Sequence, residues 1–417
     1  MCHTMSSAAA GTALQYEDEL LSTLDLPDGQ LRILRGVGSG LTRRIDDPDG
    51  TFWAVGDRGP NLNVKIAVAN LGLTHLAQHA DLDGAKVMLC PEIGPAISLL
   101  RLDGDKVVLV RSFPLRDRNG TPLSGLPTTG SAIARAEPAF ALDGSCIPGD
   151  PSGADTEGIV ACPDGTFFVG DEYGPSLLHI AADGRVLVRW VPAGLEPLFA
   201  GSNYPVVGAL PAIASMRRLN RGFEGLASSP DGASLYLAFQ SPLAHPDEDA
   251  HRQARHIRLW QLDAATGQVT AQYLYPLDRP SSFRRDAERG DVNRSDIKVS
   301  ELAMIGPNRL LVLERVSATT KLYAVQLDPA RAVGCEHLEM STTPTIEQLS
   351  ASGDLKDCWP VLEKSLVLDT DNLPEFSADL EGMILLSART LLLVNDNDFG
   401  VEGIRTSFWR IDLSADL

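Results

Sequence analysis

The 417-residue sequence has no apolar run near the roughly 18 residues that a membrane helix requires, so no span is expected. Clustered Lys and Arg are also missing. With 36 basic against 55 acidic residues and a formal charge of −19, the chain is a poor match for nucleic acid, whose phosphates are bound by basic patches. The six cysteines (Cys2, Cys90, Cys146, Cys162, Cys335, Cys358) form no CxxC pair, which argues against a zinc ribbon or a dithiol redox motif. Cys146 with Cys162, and Cys335 with Cys358, are read either as disulfides or as free thiols. There is no G-x-S-x-G elbow, no G-x-x-x-x-G-K-[ST] loop and no H-E-x-x-H, so serine hydrolase, P-loop and zincin chemistries lack their signatures. The opening MCHTMSSAAAGTALQ lacks the apolar core of a signal peptide, which leaves a mature exported chain or a cytoplasmic one.

What the chain has is one pattern used five times. The stretches are SGLTRRIDDPDGTFWAVGDRGP from Ser39, EGIVACPDGTFFVGDEYGP from Glu157, EGLASSPDGASLYLAFQSPL from Glu224, ELAMIGPNRLLVLER from Glu301 and EGMILLSARTLLLVNDND from Glu381. Each opens on a small or acidic residue, runs through an apolar strand and a tight turn, and returns to a polar residue. Residues equidistant from a tight turn lie opposite each other. On that arithmetic Glu157 faces Asp171, Glu224 faces Gln240, Ser39 faces Asp57, Glu301 faces Glu314 and Glu381 faces Asn395. Every hairpin would then deliver two polar groups to one end.

Hairpins spaced this widely suit radial blades better than a solenoid. Alternating segments at Ile97 to Phe113, Ser176 to Val191, Arg255 to Tyr275 and Thr320 to Asp328 supply outer strands. The expected fold is all-β, a β-propeller of about five to seven four-stranded blades with long inter-strand loops. Residues 1–29 read as a partly disordered N-terminal segment and residues 30–417 as a single propeller domain. Gln30 to Val37 has no hairpin partner nearby, and Thr406 to Leu413 lacks a final strand that the N-terminal segment would supply. Four stretches, Asn61 to Ala96, Pro114 to Ala154, Pro276 to Lys298 and Met340 to Leu373, read as long loops, with a short helix at Val64 to Gln78.

Convergent carboxylates must raise their pKa values, find cations or bind metal. Calcium takes six to eight oxygen ligands, and Asp57, Glu157, Asp171, Glu224, Glu301, Glu381 and Asp396 are the candidates, with Asn395 beside them. The alternative is that each Glu accepts backbone N–H groups and fixes blade packing. Arg58, Arg221 and Arg315 stand at the repeat ends, where guanidinium groups would bind an anionic substrate or pair with the acids. Asp396-Asn397-Asp398-Phe399-Gly400 faintly matches a calcium loop without its closing Glu, and His75 with His79 is a weak metal pair.

The blocks GDRGPN (Gly56 to Asn61), DTEGI (Asp155 to Ile159), NRGFEGLA (Asn220 to Ala227), QSPLA (Gln240 to Ala244), LLVLER (Leu310 to Arg315), LEGM (Leu380 to Met383) and LLLVNDND (Leu391 to Asp398) occur in order. Together they resemble the phytase-like family, described as having esterase-like activity of phytase, over about Leu31 to Leu413. The resemblance implies an exported β-propeller that hydrolyses phosphoesters or esters, with Asp57, Asp155, Glu157, Glu224, Glu314 and Glu381 at the family's acidic positions. Gln240 departs from it, standing where an acidic residue often precedes the SPL block. The reading that follows is a calcium-dependent hydrolase of phosphate esters acting on a small anionic ester. Glu157, Glu224, Arg58 and Arg221 would be catalytic, Arg58, Arg221 and Arg315 would bind substrate, and the protein would be a monomer outside the cytoplasm. Lactone or carboxylic ester hydrolysis is the near alternative, and a binding propeller with a structural acidic ring is the distant one.

Overall fold

A computed structural model describes residues 10–130, 135–353, 355 and 359–417. Five antiparallel sheets repeat the same order from the inside outward, so the chain is a β-propeller with five blades among the described residues. Blade 1 comprises Gly40–Thr42, Thr51–Val55, Ala96–Asp103 and Lys106–Pro114. Blade 2 comprises Thr156–Ala161, Phe167–Asp171, Ser176–Ile180 and Val186–Pro192, with a fifth, parallel strand Val206–Leu210 on its rim. Blade 3 is Phe223–Ser228, Ser234–Phe239, His256–Asp263 and Val269–Pro276, and blade 4 is Lys298–Gly306, Arg309–Arg315, Thr320–Gln326 and Lys364–Asp369. Blade 5 is Leu380–Ser387, Thr390–Asn395, Phe408–Asp412 and, from the other end of the chain, Ala10–Leu14. That last strand pairs Ala10 with Asp412 and Leu14 with Phe408, so the ring is closed by the N-terminal segment and the propeller begins well before residue 30. The otherwise open edge of Phe408–Asp412 is thereby covered.

The innermost strands touch in cyclic order, each blade meeting the next and blade 5 meeting blade 1. Glycine makes this possible. A methyl group on Gly40 would meet the Glu157 carbonyl oxygen at 2.5 Å, and one on Gly158 would meet that of Glu224 at 2.1 Å. The Glu-Gly pair of the repeat thus includes a residue that lets one backbone lie against another. Between blades the packing is apolar: Trp53, Ile97, Ile159 and Phe167 join blades 1 and 2, while Leu41, Phe52, Ile384 and Phe408 join blades 5 and 1. The hairpin tips carry ordinary turn chemistry; Asp164 accepts the Thr166 N–H at 2.9 Å, and Gly165 takes φ 93°.

Several expectations need correction. Gln30 to Val37 does have a local partner, since Leu20–Leu26 and Gly29–Leu34 form a hairpin. The first two interrupting stretches are not only loops: Asn61–Asn63, Lys86–Met88, Ala139–Phe140 and Cys146–Ile147 build a separate four-stranded sheet. The helix expected nearby runs Val64–Asn70, capped by the Asn63 side chain, and is followed by a 3-10 turn at Thr74–His79. The stretch read as a loop after Met340 contains the outermost strand of blade 4, Lys364–Asp369. Cys146 and Cys162 are free thiols, one exposed and one buried, and Cys358 lies outside the described residues. Among the described residues no helix is long and apolar enough to cross a membrane.

At the channel axis sits Glu301. It accepts the backbone N–H of Leu302 (2.9 Å), of Leu41 in blade 1 (3.2 Å) and of Leu226 in blade 3 (3.4 Å). One side chain from blade 4 therefore ties three inner strands together, and the packing role considered for the repeat acids is the one Glu301 performs. Beyond it, toward the hairpin tips, the channel holds a cavity of about 190 Å³ lined by residues such as Leu41, Ile159, Leu226 and Met304. Replacing Glu301 with Ala orphans three buried N–H groups at about 1 kcal/mol or more each. Urea unfolding of Glu301→Ala should show a loss of about 3 kcal/mol, and an unchanged midpoint would remove the tie.

Candidate functional site

Four of the five inner strands carry a β-bulge near the repeat acid. The register slips between Thr156 and Ile159, between Phe223 and Leu226, between Val299 and Glu301, and between Leu380 and Gly382. A bulge inserts one residue and re-aims the side chains around it. The expected facing pairs are accordingly displaced: Asp171 lies opposite Thr156, Phe239 opposite Phe223, Glu314 opposite Val299 and Asn395 opposite Leu380.

The displacement sorts the sequence candidates. Asp171 is fully buried inside blade 2, its Oδ2 paired with Arg189 at 2.5 Å and accepting from Ser176, and its Oδ1 accepting the Asp155 N–H at 2.7 Å. It does not join the other acids at the mouth. Its neighbour Glu172, in the turn just past the end of strand Phe167–Asp171, does. Glu301 is committed to backbone N–H groups, as above. Glu381 is bound by Arg315, which also pairs with Asp379 at 2.8 Å. Glu314 is held by Tyr275 (2.7 Å), the Asp278 N–H (2.8 Å) and Lys364 (2.6 Å). His75 bonds the Leu142 carbonyl and His79 stacks on Phe140.

Asp57, Glu157, Glu224 and Asp396 come together with three others, Asp155, Glu172 and Asp398. In the triads Asp57–Asp396–Asp398, Asp57–Asp155–Glu157 and Glu157–Glu172–Glu224, the carboxylate oxygens lie within 4.8 Å of one another. These overlapping triads form one continuous arc across blades 5, 1, 2 and 3. Burial, then mutual repulsion, pushes the carboxyl groups of Glu157 and Asp396 well above the usual range. Glu224 is pushed up to about 8, by burial first and then by Glu172.

The arc contains one embedded cation. Arg58 is buried and pairs with Asp155 at 2.6 Å and with Glu137, while Tyr173 (3.1 Å) and Asn220 (2.5 Å) accept further N–H groups from its two terminal nitrogens. It is an internal counter-ion, so the sequence reading of Arg58 as a substrate ligand gives way to pairing. Even so, Asp155 accepts no well-formed hydrogen bond on either oxygen, Glu224 Oε2 is buried without one, and no described residue donates to Glu157. An all-oxygen donor set with orphaned lone pairs fits a hard divalent cation such as calcium, with Asp57, Asp155, Glu157, Glu172, Glu224, Asp396 and Asp398 available to hold it.

Opposite the arc, at the seam of blades 3 and 4, stand three cations. Among the described residues Arg221 has only a neutral partner, the Gln240 Oε1 at 2.7 Å, and burial lowers its pKa to about 10. Lys298, directly across from Arg315 in the hairpin register, has no hydrogen bond or ion pair among the described residues, and burial with the neighbouring guanidinium groups lowers it to about 7. Sequence reasoning missed Glu172, Asp398 as part of the main group, and Lys298. The signal for Lys298 was present: it precedes Glu301 by three residues, as Arg221 precedes Glu224.

Metal-free protein should show this charge as pH-dependent stability. The folded state holds the Glu224 proton to about pH 8, whereas an unfolded Glu releases it near 4.5. The folded state therefore binds more protons across that interval, and its stability falls as pH rises through it. Thermal melts after chelation should drop between pH 5 and 8, and Glu224→Gln should flatten the decline. A wild-type melting temperature that rises over that range would contradict the assignment.

Comparison with known proteins places this geometry. The chain is 29% identical over 304 residues to an uncharacterized secreted protein of Arthroderma benhamiae, covering 64% of this chain and 56% of that protein's length. Among solved structures, similarity extends to a calcium-binding regucalcin of Agrobacterium tumefaciens (11% identity, 91% and 92% of the two chains, TM-score 0.36). It extends also to a PQQ-bound aldose sugar dehydrogenase of Streptomyces coelicolor (12%, 97% and 98%, TM-score 0.33). These likenesses are loose, and the propeller assignment stands on the sheet order rather than on them. The model of the family described as Phytase-like, esterase-like activity of phytase, matches residues 35–399, and the chain belongs to that family.

Proposed function

We propose that the protein is a divalent-cation-dependent hydrolase of phosphate esters, with calcium as the cation, working at the acidic end of the channel. The observation that carries this reading is the pairing of two unbalanced halves: an arc of seven carboxylates with one embedded guanidinium, facing Arg221 and Lys298, which have no carboxylate of their own. The family description and the acidic motifs support it. A cation in the arc would polarise a phosphoryl oxygen and lower the pKa of a bound water.

The chain's own contribution divides in two. Arg221 would hold the phosphoryl group by charge-assisted hydrogen bonds, while Arg58 keeps Asp155 and Glu137 in place. Glu224 Oε2, which has no hydrogen bond and a proton affinity near neutrality, would take a proton from water and return it to the leaving alcohol oxygen. The long-loop sheet built from Asn61–Asn63 and its partners follows Asp57 directly in the chain, and would restrict access to small esters. An extracytoplasmic location is proposed from the relative named as secreted.

The test is turnover of p-nitrophenyl phosphate, phytate and p-nitrophenyl acetate by chelated protein, then after adding back calcium, magnesium or manganese. Calcium-restored turnover of the phosphate esters is expected, and Glu157→Gln and Glu224→Gln should each lower kcat about a hundredfold or more while circular dichroism is unchanged. Turnover of the acetate alone would replace phosphoric with carboxylic ester chemistry. No turnover with any metal, and a melting temperature indifferent to chelation, would leave a non-catalytic binding propeller.

A further inference from the structure

We infer that Arg221, Lys298 and Gln240 form a dedicated oxyanion subsite, at the seam between blades 3 and 4, for the tetrahedral phosphate group of substrate and product. This deepens the phosphate-ester reading and rests on it for the identity of the anion. Two features of the backbone and one side-chain hydrogen bond bring these residues together. The Val299 N–H donates to the Gln240 carbonyl at 2.9 Å, which fixes the start of the blade 4 inner strand against the end of the second strand of blade 3. The Gln240 side chain turns the other way and accepts from Arg221 Nη1 at 2.7 Å. Lys298, one residue before Val299, lies opposite Arg315 in the hairpin register.

The charge balance at this seam is unusual. Like charges directly opposite on paired strands destabilise a sheet, and partly buried cations normally acquire a carboxylate. Arg315 has two, Asp379 and Glu381. Lys298 and Arg221 have none among the described residues: Arg221 is met by an uncharged amide, and Lys298 by no side-chain acceptor. Carboxylates act on both only through space: Glu172 and then Glu224 on Arg221, Asp379 and then Glu224 on Lys298. Two partly buried cations kept without counter-ions are what an incoming oxyanion neutralises. The neutrality of Gln240 is part of the device, since a carboxylate there would occupy Arg221. The ammonium and guanidinium supply five or more N–H donors between them, which the oxygens of a tetrahedral oxyanion can accept and a planar, uncharged ester cannot.

The experiment is a calorimetric titration of inorganic phosphate into the full chain, metal-free and dialysed clear of chelator, repeated with sulfate in excess calcium. Saturable binding of one anion per chain is expected. Lys298→Gln and Gln240→Glu should each weaken it about tenfold or more, and Lys298→Arg should retain it. Gln240→Glu keeps the shape and the acceptor, so its loss of binding reports charge rather than misfolding, and a thermal melt of each variant checks the fold. Equal affinity in wild type, Lys298→Gln and Gln240→Glu, or no saturable binding by wild type in either condition, overturns the subsite. Phosphate binding that is lost in these variants, in a protein that turns over no ester, would sink the hydrolase reading and keep the subsite.

Discussion

Closing five blades around one axis leaves room at the centre for backbone and little else. Where Gly40 meets Glu157 and Gly158 meets Glu224, a single methyl group would overlap a carbonyl oxygen. The inner strands are therefore buried on both faces, and their side chains must either point along the channel or be re-aimed. A bulge is the local solution, because it adds one residue to one strand and turns the side chain there out of the pleat. The repeat acids stand at or beside these bulges. Packing of the ring and placement of the acids are one constraint seen twice.

Identical motifs then reach different ends because the five surroundings differ. Glu301 finds backbone N–H groups of blades 1, 3 and 4 and becomes a tie. Glu381 finds Arg315 and becomes half of an ion pair. Glu157 and Glu224 find other carboxylates, and for them burial without a partner leaves protonation or cation binding as the available responses. Uncompensated charge at one end of a channel, with fully satisfied polar groups elsewhere such as Glu314 and Asp171, is the distribution expected of a site rather than of a scaffold.

The propeller, its five hairpins and the closing role of the N-terminal segment were legible because strand alternation and turn residues are local signals. The insertion sheet was not, since its strands are only two or three residues long and its central pairing spans a long separation: Ala139 lies beside Lys86 and Phe140 beside Val87. The surroundings of the individual acids were not legible for a sharper reason. Midpoint arithmetic assumes an unbroken register, and one bulged residue puts Thr156 rather than Glu157 opposite Asp171, whose side chain is held in the interior of the blade. Arg58 was named but its partners were not, because Glu137, Asp155 and Asn220 come from three distant segments.

The backbone at the mouth carries the same mark as the charges. Of the described non-glycine residues with positive φ, Asn220 (56°), Asp379 (51°), Asp398 (45°) and Phe399 (53°) all contact or belong to the groups just discussed, while Asn308 sits in a hairpin turn at the other end. Each such conformation costs about 1 to 3 kcal/mol and persists only where the surroundings over-determine it. Here they do. Asn397 donates to the Arg35 carbonyl (3.0 Å) and to Thr406 Oγ1 (2.9 Å) and accepts the Phe399 N–H (3.0 Å), while the Phe399 ring is buried in the apolar cluster shared by the N-terminal hairpin and the insertion sheet. The insertion sheet and the N-terminal hairpin lie outside the five-blade ring, and through Phe399 both pack against the turn that carries Asp396 and Asp398. A scaffold that spends its accessory elements on holding strained acids together is built around those acids.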